Sequence, residues 1–120
     1  MIKRIYFLNI RLETGGPENI HQVCKLLSDL GYDASILYPD KELKHTAKFK
    51  CYNNKIAENP IFNDETLLVF PEFLAASRFK NFKCKKALFW LSLDNSPDIK
   101  QLRLKEYLEE FGVNYNLVQC

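Results

Sequence analysis

Glu18 and His21 stand just behind the run Thr14-Gly15-Gly16-Pro17. A carboxylate and an imidazole at this spacing lie one helical turn apart, where they can hold sugar hydroxyls or move a proton. The glycine pair supplies an approach, because a backbone without Cβ atoms can close on a ligand. A helix opening there points its free N–H groups at whatever lies in front, favouring an anion or a hydroxyl. Glu72, Asp94 and Asn95 are further residues of this kind, each following an apolar run. All of them also have plainer uses. Glu18 complements a helix dipole, and His21 fits a structural ring beside an apolar stripe. Glu72 serves as a helix-start acid, and Asp94-Asn95 as a turn before Ser96.

These residues must be positioned by regular elements, and the chain alternates strand and helix patterns. The continuous run Ile5-Tyr6-Phe7-Leu8 predicts a buried strand over 4–9. A helix is predicted over 17–30, with Pro17 at its first position and Gly31 just past its end. Ile20, Val23, Cys24, Leu27 and Leu30 make the stripe that would face a sheet. Strands follow over 33–38, 66–70 and 86–92, with the last one beginning at Tyr115. Helices are expected over 72–79 and from Pro97 through Phe111, and the alternation in 47–52 suggests a half-exposed strand.

This order predicts an α/β fold. It is a Rossmann-like, doubly wound and mostly parallel sheet with helices on both faces, forming one domain over residues 1–120. In such sheets ligands bind beyond the carboxyl ends of the strands. Those ends collect Thr14, Gly15, Gly16 and Glu18, then Asp40, then Glu72, then Asp94 and Asn95.

Composition excludes several functions. Seventeen basic and fifteen acidic residues leave a net charge of +2, so nucleic acid and anionic membranes are not expected partners. The cluster Lys80, Lys83, Lys85 and Lys86 is read as a solvated rim. Cys24, Cys51, Cys84 and Cys120 form no C-x-x-C pair, which favours free thiols and offers no zinc site. No signal peptide or membrane-spanning run is present, so a cytoplasmic chain is expected. The glycine pair is neither G-x-G-x-x-G nor a P-loop, which argues against dinucleotide binding and P-loop ATP hydrolysis.

Taken in order, three segments resemble a known family. Thr14-Gly15-Gly16-Pro17-Glu18 followed by His21-Gln22 resembles the T-G-G-P-E-x-x-H-Q opening of bacterial and phage glycosyltransferases of the GT-B type. Leu68-Val69-Phe70-Pro71-Glu72 resembles their apolar strand ending in Pro-Glu. Phe89-Trp90-Leu91-Ser92-Leu93-Asp94-Asn95 resembles their W-W-L-S-x-D-N segment, with Phe89 in place of the first tryptophan.

The resemblance implies an N-terminal domain that binds a sugar or glycan acceptor and forms one wall of the active-site cleft. Thr14, Gly15, Gly16, Glu18, His21, Glu72, Asp94 and Asn95 are then ligand contacts, and none is assigned as catalytic base. No metal or resident cofactor is implied. A nucleotide-sugar donor is expected only with a second, donor-binding domain or subunit. The expectation is therefore a fragment, truncated product or split subunit of a polysaccharide-building transferase, inactive alone. The alternative is a stand-alone binding module that keeps the fold without catalysis.

Overall fold

A computed structural model of the 120-residue chain describes residues 1–11, 15–39, 42–71, 82–90 and 115–118. It contains β1 (Arg4–Leu8), α1 (Gly15–Asp29), β2 (Ala34–Leu37), a 3-10 segment (Ala47–Tyr52), β3 (Thr66–Pro71), β4 (Lys85–Trp90) and β5 (Tyr115–Val118). The strands form a single sheet in the order β2-β1-β3-β4-β5, with every neighbouring pair parallel. This is an α/β, Rossmann-like doubly wound sheet. The chain moves outward from β1 to β2, then returns to place β3 on the other side of β1. The order reverses between β1 and β3, at the position where ligands bind in such sheets. The expected helices over 72–79 and 97–111 lie outside the described residues.

The parallel register aligns Phe7 with Ile36 and Val69, and Val69 with Ala87. These four buried side chains form a row across one face, and Ile20 and Cys24 of α1 pack onto it. Phe7 is only 1% exposed, so burying its ring contributes about 2 kcal/mol. The other face is equally dry, because Tyr6, Leu8, Leu68, Phe70 and Leu88 are all buried. Burial on both faces explains why the strands read as unbroken apolar runs.

Helix α1 starts at Gly15 and ends in a Schellman motif. The Tyr32 N–H donates to the Leu27 carbonyl at 3.0 Å, and that of Gly31 to the Ser28 carbonyl at 3.0 Å. Gly31 takes φ 97°, which only glycine adopts cheaply. Two sequence expectations change here. Pro17 is the third helical residue rather than the first, which costs nothing because the first turn lacks intrahelical acceptors. Leu30 is 66% exposed and does not face the sheet, since the helix has already ended.

Residues 47–52 form a 3-10 helix and not a strand. At three residues per turn Phe49 and Tyr52 eclipse, so both reach the same neighbour on α1. Asn53, in the left-handed region at φ 51°, stops the turn. The chain then lies along the outer edge of β2, where the Ile36 N–H donates to Lys55 and the Ala57 N–H to Ile36, both at 2.8 Å. This pairing covers an otherwise open strand edge.

Lys86 also departs from its expected place on a solvated rim. It is 5% exposed, and its ammonium donates to the carbonyls of Phe82 at 2.7 Å and Cys84 at 3.3 Å. Those bonds offset the cost of burying a charge. Lys83 and Lys85 are exposed, whereas Lys80 lies outside the described residues.

Candidate functional site

The site is built outward from the end of β1. Asn9, the residue after the strand, is fully buried. Its backbone N–H donates to the Leu37 carbonyl at 3.0 Å, continuing the pairing with β2. Its side-chain nitrogen donates to the Pro17 carbonyl at 3.3 Å, and its oxygen accepts from the Ile10 N–H at 2.9 Å. One carboxamide thus ties the strand end to the first turn of α1.

That first turn holds Gly15, Gly16 and Glu18 beyond the carboxyl end of β1. Pro17 has no N–H, so Gly15 and Gly16 carry the described amides that lack an intrahelical acceptor. Gly15 is exposed and helical, and none of the described residues lies within 4 Å of the place its Cβ would occupy. The packing of the described residues therefore does not require glycine there.

Glu18 is half-buried, and its Oε2 accepts from the Tyr52 hydroxyl at 3.0 Å. The same hydroxyl accepts from the Gln22 side-chain nitrogen at 3.4 Å. The 3-10 segment thereby orients the only acid in the first turn of α1.

His21 lies beneath this layer and is 0% exposed. Its ring stacks on Tyr52 at 5.9 Å and 21°, meets Phe49 at 4.9 Å and meets His45 edge-on at 5.0 Å. Asn54 donates through Nδ2 to His21 Nδ1 at 3.2 Å and to its backbone carbonyl at 3.0 Å. Since Nδ1 accepts, the proton of the neutral ring sits on Nε2, which has no partner among the described residues. Burial, with the adjacent His45 as a second cause and against a smaller pull from Glu18, pushes the His21 pKa down to about 4. The ring is neutral at physiological pH and shielded from solvent.

A second string of contacts supports this cluster from the ends of β1 and β2. His45 Nε2 lies 2.7 Å from the Asn54 carbonyl, which can only accept. In the neutral ring Nδ1 therefore accepts from the Tyr38 hydroxyl at 2.6 Å. The Arg11 guanidinium lies 3.9 Å above the Tyr38 ring. It also donates to the carbonyls of Lys44 at 3.1 Å and Glu42 at 2.6 Å.

Of the residues singled out by sequence, the structure places Gly15, Gly16, Glu18 and His21 on successive turns of α1. Thr14, Asp40, Glu72, Asp94 and Asn95 lie outside the described residues. Sequence reasoning missed Asn9, Tyr38, His45, Tyr52 and Asn54. Among them only Asn54 carried a signal, as half of an Asn-Asn turn, and that signal did not point to His21. No cluster of three metal-ligating side chains occurs among the described residues. None of their helices is long and apolar enough to cross a membrane. Comparison of the chain with protein-family models, curated proteins and solved structures returned no match.

Proposed function

We propose that this chain is the acceptor-side domain of a GT-B-type glycosyltransferase, forming one wall of a cleft that a donor-binding domain completes. The observation that carries the reading is Gly15. It is a helical, exposed glycine whose Cβ position is open among the described residues, at the switch point of a parallel sheet. Alanine would favour the helix by up to about 1 kcal/mol. A glycine there makes sense if a bulky ligand comes against the backbone. The first-turn amides suit a diphosphate or sugar hydroxyl, and Glu18, held by Tyr52, suits a hydroxyl.

His21 on this reading is scaffold, because a fully buried neutral ring does not meet a ligand in the cleft. Its burial also supports the second reading, a binding module without catalysis. In the first reading the domain works in the cytoplasm on a sugar or glycan. There it contributes to polysaccharide building, and the donor domain supplies most of the groups that stabilise the leaving diphosphate.

The test is amide NMR of the labelled chain during titration with uridine and guanosine diphosphate-sugars. We expect weak, saturable shifts centred on Gly15 and Gly16, which Gly15→Val removes while the rest of the spectrum is retained. Absence of any shift there, for either nucleotide-sugar and for free monosaccharides, would overturn the proposal.

A further inference from the structure

A groove of about 740 Å³ opens on the sheet face opposite α1, at the carboxyl ends of β1 and β2. Leu8 and Leu37, neighbours in the parallel register, line it together with Pro60 and Leu43. Phe62 and Phe82 line it as a ring pair with centroids 4.7 Å apart. Its size is that of small-molecule sites, which are mostly apolar with a few polar groups that orient the ligand. Glu42, Glu58 and Asn59 are those groups, and no lysine or arginine lines the groove among the described residues.

This chemistry selects a ligand. Glu42 and Glu58 disfavour an anionic head, with no lysine or arginine among the described lining residues. The Arg11 guanidinium, 3.9 Å from the Glu42 carboxylate, offsets part of that charge and weakens its effect on a charged head of either sign. Asn59 offers both a donor and an acceptor, the pairing that a hydroxyl satisfies. Leu37, Leu43 and the two phenylalanine rings keep exposed apolar surface and gain most from an uncharged apolar body.

The geometry points to a binding site for a neutral glycoside with an apolar aglycone, its hydroxyls at Glu42, Glu58 and Asn59 and its aglycone over Leu37 and Leu43. It rests on the function proposed above only in making this ligand the acceptor, because the groove shares the carboxyl edge of the sheet with Gly15.

The test is calorimetric titration of the chain with octyl glucoside below its micelle concentration, beside glucose, octyl sulfate and octyltrimethylammonium. Saturable binding of octyl glucoside is expected, at least about tenfold tighter than the other three. Leu43 is 54% exposed, so Leu43→Glu should keep the fold by circular dichroism and weaken binding about tenfold. Asn59→Ala, at another exposed position, should narrow the preference for the glucoside over the ionic octyl compounds. Lack of saturable binding, equal affinity for either ionic compound, or full affinity in a folded Leu43→Glu chain would each overturn the assignment. The nucleotide-sugar titration reads other residues with other ligands, so the two proposals fail separately.

Discussion

Asn54 grips His21 at two points, donating one carboxamide nitrogen to the ring Nδ1 at 3.2 Å and to the backbone carbonyl at 3.0 Å. The two residues come from stretches that meet only through tertiary packing, α1 and the lobe formed by the 3-10 segment with the Asn53-Asn54 turn that follows it. Their union fixes the tautomer of the histidine and holds the lobe against α1.

Removing that grip should be costly. Asn54→Ala leaves a buried ring nitrogen without a donor, and a loss of about 2 kcal/mol is expected. Urea unfolding measures it, and a loss below about 0.5 kcal/mol would show that the contact does not hold the lobe.

Acid should loosen the fold through His21. Its folded pKa is about 4, while in the unfolded chain it returns to the ordinary 6.5. The unfolded chain thus binds the proton first. Stability from this group is complete above pH 6.5 and declines as pH falls toward 4, by up to about 3 kcal/mol. Urea midpoints between pH 7 and 4 should fall more steeply for the native chain than for His21→Gln. Parallel slopes would remove His21 as the cause.

The glycines at the two ends of α1 should respond in opposite directions. Gly31 at φ 97° resists a Cβ, so Gly31→Ala should cost about 1 kcal/mol. Gly15 is helical with open space around it, so Gly15→Ala should be neutral or add up to about 1 kcal/mol. Thermal melts of both variants check this contrast. A destabilised Gly15→Ala would mean that the first turn needs glycine for its own conformation.

Thiol chemistry should separate two of the cysteines. Cys24 is buried against the sheet, and that burial pushes its pKa up to about 12. Cys51 is exposed on the 3-10 segment. A disulfide reagent at pH 8 should modify Cys51 in the folded chain and reach Cys24 only in denaturant. Mass mapping of the labelled peptides gives the answer, and early labelling of Cys24 would contradict its burial.

Patterns local to the chain were legible in its sequence. Ile5-Tyr6-Phe7-Leu8 and Leu67-Leu68-Val69 announced strands buried on both faces, because a parallel sheet covered on two sides needs no alternation. Gly31 announced the end of α1, because a left-handed cap tolerates little else. The segment Ala47–Tyr52 misled, since its alternating polar and apolar residues fit a strand as well as a short 3-10 turn. Only packing of Phe49 and Tyr52 against His21 decided between them.

The amino-acid sequence by itself determined the α/β class, the parallel strands and a helix after β1 that ends at Gly31, because these follow from periodicity and from the cap that glycine allows. Tertiary structure alone decided that His21 is a buried, neutral support and that Tyr52 holds Glu18. It also decided that Lys86 turns its ammonium onto nearby carbonyls. Desolvation and hydrogen-bond partnership belong to neighbours far apart in the chain, and no spacing of residues encodes them.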